Sequence, residues 1–266
     1  MKHIAKNGSW YELSGPEHAP VVALIHGLGL DHTTWQDYAP ALSASYRVLS
    51  YDLFGHGASA AAPRAPSLSV FAEQLHELFD ELHIDSAALV GFSLGGMINR
   101  RFAIDFPLRA QALVILNSPH ERGPEQQRLV EERAAMTSAG GAAATMDSTL
   151  ERWFTPRFLV DGAQRVAQVR AGVLANDPDS YAQCRMVLAN GVIELIRPQP
   201  SLTLPTLVMT CEFDSGSTPA MSHAIAGEIS AAKSLIVPGL QHMGLVEQPA
   251  TFLEPVQTFL ASVMCP

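Results

Sequence analysis

The chain has 266 residues, 47% of them hydrophobic, with a formal charge of −9 at pH 7 and a pI near 5.5. That is enough apolar material for one large domain, or one domain carrying a substantial insertion. The acidic balance argues against nucleic acid as a partner, because phosphate binding needs clustered basic charge. No run approaches the ~18 apolar residues of a membrane helix, and the first eight residues lack the apolar core of a signal peptide. Cys184, Cys211 and Cys265 have no metal-like spacing and fit reduced thiols. A cytoplasmic protein with no membrane partner is therefore the expectation.

Residues 2–13 are expected to form a short antiparallel hairpin about Asn7-Gly8, a favoured turn pair. The apolar run Pro20 to Ile25 reads as a central strand and ends at His26-Gly27-Leu28-Gly29. A helix is expected from Thr33 to Leu42, then a strand over Arg47 to Tyr51. The glycine-punctuated loop Asp52-Leu53-Phe54-Gly55-His56-Gly57-Ala58-Ser59 follows. Ser67 is placed to cap a helix with Leu68, Phe71, Leu75, Leu78, Phe79 and Leu82 on one face. Ala87 to Val90 reads as a buried parallel strand, Met97 to Phe106 as a helix, and Ala112 to Leu116 as a strand ending at Asn117-Ser118-Pro119.

Between residues 120 and 203 the pattern is helical with no convincing strand, and loop signals fall at Gly140-Gly141, Asp161-Gly162 and Asp177-Pro178. The alternation resumes with a strand at Thr206 to Thr210, a helix near Pro219 to Ile229, a strand at Ser234 to Val237 and a last helix from about Pro249 to Val263. Strands alternating with helices predict an α/β fold with a mostly parallel central sheet. In such a sheet the C-terminal ends of the strands share one edge, where ligands bind. The loops at 26–29, 52–59, 93, 118–119, 212–214 and 241–242 should converge there. The 120–203 block springs from the same edge, so a core of residues 1–119 and 204–266 is expected to carry it as a cap.

Gly91-Phe92-Ser93-Leu94-Gly95 is a G-x-S-x-G pattern on a strand-to-helix turn, the signature of a nucleophile elbow. A serine hydroxyl is a poor nucleophile near neutral pH and needs a base, which in turn needs an orienting group. Of ten histidines, His242 is the best placed, in the loop after the last strand. His223 falls inside a probable helix. Asp214 is the orienting acid of choice, because Ser…Asp…His is the order expected when such an elbow is real; Glu212 and Glu121 are its rivals. Acyl cleavage also builds negative charge on a carbonyl oxygen, which preorganised N–H donors stabilise. The backbone N–H groups of Leu94 and Leu28 are the candidates. His26 reads as a loop brace. No cofactor or metal is expected.

Ser93, Asp214 and His242 in this order, with His26-Gly27 upstream, resemble the α/β-hydrolase family, over the whole chain outside 120–203. The loop from Asp52 to Ser59 is similar to that family's D-x-R-G-x-G-x-S, with Phe54 where arginine is usual. Within the family, Gly91 to Met97, Leu150 to Pro156 and Asn176 to Tyr181 resemble 3-oxoadipate enol-lactonases and their relatives. The resemblance implies a serine hydrolase acting on a small ester or lactone that bears carboxylates. Three other outcomes look alike at these positions: hydrolysis of carbon–carbon bonds in ring-cleavage products, a cofactor-free haloperoxidase or perhydrolase, and a non-catalytic receptor on the same fold.

Nine of the 14 arginines lie in 120–203, beside ten acidic residues and no lysine. Helix-surface pairs are expected to absorb most of them. Arginine binds carboxylates bidentately, so one or two could face an anionic substrate. Arg152 and Arg157, flanking Trp153, are the first candidates, with Trp153 as a pocket wall or cap core.

Overall fold

A computed structural model describes residues 2–264; Cys265 lies outside them. Eight strands form one sheet in the order β1-β2-β4-β3-β5-β6-β7-β8. They are β1 Lys2–Ile4, β2 Trp10–Ser14, β3 Val21–Ile25, β4 Arg47–Tyr51, β5 Ala87–Phe92, β6 Ala110–Leu116, β7 Thr206–Cys211 and β8 Ala232–Val237. β1 and β2 form the expected hairpin, with Ile4 opposite Trp10, and β2 runs antiparallel to β4. Every other pairing is parallel. β3, β5 and β7 are apolar runs with helices on both faces, and β5 and β7 are buried along their whole length. After β3 the chain turns first to β4 on one side and then to β5 on the other. The crevice outside the ends of β3 and β5 is therefore the switch point where ligands bind in open α/β sheets.

The helices of this layer are α1 Ala39–Leu42, α2 Leu68–Glu81, α3 Leu94–Asp105, α9 Pro219–Glu228, α10 Gly244–Glu247 and α11 Pro249–Val263. Ser67 caps α2 by accepting from the N–H of Val70 at 3.2 Å. Of the apolar face assigned to α2, Leu68, Phe71, Leu75, Leu78 and Phe79 are buried and Leu82 is partly so. The helix expected over 33–42 is broken. A 3₁₀ turn over His32–Trp35, capped by Asp31, precedes a separate α1. Pro40 explains the break, because in a continuous helix its ring would clash with the preceding turn and it could donate no bond. Helix α3 begins three residues earlier than its apolar pattern suggests, directly after Ser93.

Between β6 and β7 lie α4 Pro124–Gly140, α5 Met146–Trp153, α6 Pro156–Asp161, α7 Ala163–Ala175 and α8 Pro178–Asn190. Thr155 and Asp177 cap α6 and α8, each followed by proline at the first helical position. This layer lies over the strand-end loops. Asn176 donates to the carbonyl of Gly29 at 2.8 Å. A Cβ on Gly29, which has φ +76°, would meet Tyr181 Cε2 at 2.7 Å, and one on Gly55 would meet Ser180 at 3.0 Å. The Asn176 to Tyr181 segment is thus the seat of the helical layer on the loops after β3 and β4. At the opposite edge, Met243 N–H donates to the carbonyl of Trp153 at 2.8 Å. Thr155 donates to Glu247 through both its N–H and its hydroxyl, at 3.1 and 2.5 Å.

The turn at Ser93 depends on backbone contacts that only glycine allows. A Cβ on Gly95 would run into the carbonyl oxygen of Ile25, and one on Gly91 into that of Gly95. One on Gly96 would sit 2.6 Å from Ser118 Cβ. Replacing Gly95 by alanine must push α3 away from β3. Gly95→Ala is expected to lower unfolding free energy in urea by about 3 kcal/mol or to prevent folding, at the upper end of what overpacking costs; a midpoint unchanged from wild type would contradict this packing.

Candidate active site

Ser93 closes β5 and immediately precedes α3, with φ 55° and ψ −111°. This is a left-handed conformation that costs a non-glycine residue of order 1–3 kcal/mol. It is held by the bond from Ser93 N–H to the carbonyl of Leu116 at 2.8 Å and by Gly96 N–H donating to the carbonyl of Ser93 at 3.0 Å. Arg100, buried on α3, donates to the carbonyls of Gly96 and Pro119 and to Ser118 Oγ. It locks the start of α3 to the loop after β6. Its guanidinium is pushed down to about 9 by burial, and it remains the charged tie of this corner.

His242 sits in the loop after β8, and its Nδ1 lies 2.7 Å from Asp214 Oδ2. Asp214, in the loop after β7, is almost wholly buried at 2% exposure. Its carboxylate also accepts from Asn117 Nδ2 and from the N–H groups of Gly216 and Ser217, each at 2.9 Å. Burial alone would raise its pKa, but the facing imidazole and these hydrogen bonds outweigh burial and hold it below the usual carboxylate range. An ionised Asp214 can only accept. His242 Nδ1 must therefore carry the proton, which leaves Nε2 with a free lone pair. Asn117 has φ 47° at the end of β6, a conformation asparagine tolerates better than most residues.

Ser93, His242 and Asp214 line one partly open cavity together with Leu28, Trp153 and Arg152; its empty space is about 800 Å³, mouth included. Gly27 packs so close that a Cβ there would lie 3.2 Å from Ser93 Cβ, which brings the Leu28 backbone beside the serine. Leu94 is the first residue of α3, where an N–H has no partner within the helix. The rings of Phe92 and Trp153 lie 5.0 and 5.9 Å from that of His242. His26 is buried and joins two loops, its Nε2 accepting from Leu53 N–H at 2.9 Å and its Nδ1 lying 2.8 Å from the carbonyl of Gly27. Burial keeps its pKa below the usual value for histidine, which suits a neutral brace.

The rival residues lie elsewhere. His223 Nδ1 is 3.0 Å from Ser234 Oγ, Glu212 accepts from Gly239 N–H, and Glu121 pairs with Arg197 on the surface. Arg157 does not reach the cavity. Its side chain is 90% exposed and pairs with Asp161 one turn along α6, because Pro156 and Arg157 open that helix on its solvent side. Local sequence gave no signal for Asn117, Arg100 or Gln74. Gln74 is buried on α2 and holds the loop after β4 by accepting from Phe54 N–H and donating to the Asp52 carbonyl and Ser9 Oγ. The loop in which Phe54 replaces arginine is therefore tied through its backbone.

A strand-end serine in a strained turn, a histidine bonded to a buried aspartate and a helical layer meet around one cavity at the edge of an α/β sheet. The family model described as the alpha/beta hydrolase family matches residues 22–254, and the chain belongs to that family. It is similar to 3-oxoadipate enol-lactonase 1 of Acinetobacter baylyi, at 29% identity over 95% of this chain and 92% of the relative. Among solved structures it resembles the enol-lactonase from Burkholderia xenovorans LB400, with a TM-score of 0.87, 27% identity and coverage of 96% and 98% of the two chains. A hydrolase from Pseudomonas aeruginosa PA01 gives a TM-score of 0.87 at 28% identity, covering 98% of this chain and 97% of the other. The protein is a hydrolase. No helix among the described residues is long and apolar enough to cross a membrane.

Asn117 donates one of the bonds that fix Asp214, and glycine is the substitution that keeps its backbone unstrained. Asn117→Gly is expected to lower kcat for 4-nitrophenyl acetate about tenfold, the ~1.4 kcal/mol of one charge-assisted hydrogen bond, with little change in KM; steady-state kinetics reads both, and an unchanged kcat would remove Asn117 from the orienting network.

Proposed function

We propose that the protein cleaves a carboxylic ester or lactone through an acyl-enzyme on Ser93. His242 Nε2 takes the proton of Ser93 Oγ as the oxygen attacks the substrate carbonyl. The N–H groups of Leu28 and Leu94 stabilise the resulting oxyanion, and Asp214 keeps the imidazole in the required tautomer and steadies its positive charge. Protonated His242 then gives its proton to the departing oxygen. In the second half His242 draws a proton from water, the hydroxide attacks the acyl carbonyl, and Ser93 leaves with the proton back on Oγ. In a lactone both products stay joined as one hydroxy acid, or as the tautomeric keto acid if the ring is an enol-lactone.

The observation that carries this reading is the pairing of two features on one cavity. One is a serine held at φ 55°. The other is a histidine whose Nδ1 is engaged at 2.7 Å by a buried carboxylate. Neither is needed for the fold, and the first stores strain against it. Two of the named relatives are enol-lactonases, and an enol-lactone is an internal ester. We read residues 120–203 as a cap over this site, and a small carboxylate-bearing ester or lactone as the substrate class.

Ser93→Ala removes the nucleophile without disturbing the glycine contacts around it. It is expected to lower kcat/KM for short 4-nitrophenyl esters by at least about a thousandfold, with an unchanged thermal midpoint and no labelling by a fluorophosphonate probe. Near-wild-type turnover by that variant would overturn the assignment.

A further inference from the structure

The nine arginines between residues 120 and 203 divide into two sets. Five lie each beside a carboxylate: Arg128 with Glu125 and Glu132, Arg157 with Asp161, Arg165 with Asp37, Arg170 with Asp147 and Arg197 with Glu121. The other four, Arg122, Arg133, Arg152 and Arg185, all line the cavity above Ser93. Among the described residues none of these four has a carboxylate within ion-pair distance. They come from separate places: the loop before α4, α4 itself, α5 and α8. The division is by position and not by composition, since carboxylates are as frequent in this segment as arginines.

Their hydrogen bonds leave donors to spare. Arg122 gives its terminal nitrogens to the carbonyls of Leu188 and Ala189 and to Gln127, while its buried Nε has no partner. Arg152 donates to the Ser148 carbonyl and to Thr149 Oγ1. The side chains of Arg133 and Arg185 donate no hydrogen bond to any described residue, and Arg185 Nε is buried and unpartnered. Burial, followed by repulsion from Arg133 and Arg185, brings Arg152 down to about 10. Burial does the same for Arg122. Both stay charged at neutral pH. Among the described residues the only acidic side chain lining the cavity is Asp214, whose charge is already engaged by His242.

Half-buried cations that repel one another are costly unless something neutralises them. A single carboxylate has two oxygens and can engage one guanidinium bidentately or bridge two. Four guanidiniums around one small space exceed that capacity. We infer that the substrate cleaved at Ser93 carries at least two carboxylates, held by Arg133, Arg152 and Arg185, with Arg122 closing the α4–α8 side of the pocket. The inference rests on the Ser93 reading only for where the reacting carbonyl lies; the anion site stands on the arginines themselves.

The test separates the two. Ser93→Ala protein, incapable of turnover if the hydrolase reading holds, is titrated by calorimetry at pH 7 and fixed ionic strength with butyrate, glutarate and tricarballylate, which carry one, two and three carboxylates. Glutarate and tricarballylate are expected to bind at least about tenfold more tightly than butyrate. Arg133→Gln and Arg185→Gln in that background are expected to cut the advantage to about threefold or less. Equal affinities for the three acids, or an advantage that survives both substitutions together, would overturn the inference, as would inorganic phosphate binding more tightly than tricarballylate. If the substituted proteins do not fold, the unsubstituted chain supplies the readout: tricarballylate should raise its melting temperature well above the effect of butyrate, and equal shifts would count against the site. Retained ester hydrolysis by Ser93→Ala would sink the Ser93 mechanism and leave the binding result to be judged by itself.

Discussion

The site depends on the close approach of α3 to β3, where Gly95 stands against the carbonyl of Ile25 with no room for a methyl group. Gly91 and Gly96 make comparable contacts on either side. This crowding forces the chain to turn from strand to helix within one residue. Ser93 must then take a left-handed conformation, which leaves its side chain at the rim of the sheet. The strain is local, and the cost is carried by the buried ladder of β3, β5 and β6 around it. Gly27 brings the loop after β3, with Leu28, alongside the serine.

Around that point the site is built by tying loops to one another through buried polar groups. His26 joins the loops after β3 and β4, Arg100 joins α3 to the loop after β6, and Asn117 joins the end of β6 to Asp214. Each group bonds at least one partner distant in sequence, so the strand-end loops are tied into one assembly. A histidine that acts on a serine must be held to within a fraction of an ångström. Asp214 achieves this for His242 by being over-bonded, with three N–H donors besides the imidazole.

The strands and the amphipathic face of α2 were legible because burial imposes periods of one kind or the other, and the chain keeps to them. The triad was legible for a related reason: parallel strands send all their ends to one edge, so a serine, an aspartate and a histidine at strand ends must converge. The broken helix at 33–42 turned on Pro40, whose ring outweighed an otherwise helical pattern. Asn117, Arg100 and Gln74 were not legible, because their partners lie across the sheet and no local pattern marks them. The arginines divided the reading. Pairing along one helix accounts for only Arg128 and Arg157, and Arg165, Arg170 and Arg197 pair across elements, whereas Arg152 does line the cavity. Arg133 and Arg185 reach it from α4 and α8, two helices whose placement together short-range spacing does not contain.

The helical layer is fastened to the body at two places, by Asn176 to Tyr181 on the loops after β3 and β4 and by Trp153 and Thr155 on the loop that carries His242. The second uses Trp153, which also lines the cavity. Between them, α4 and the far end of α8 carry Arg133 and Arg185 without a comparable anchor to the triad loops. The pocket thus has one half tied to the strand-end loops around Ser93 and His242 and another carried on α4 and α8. Descendants of such a chain could take up new acids by altering two helices and leave the chemistry untouched.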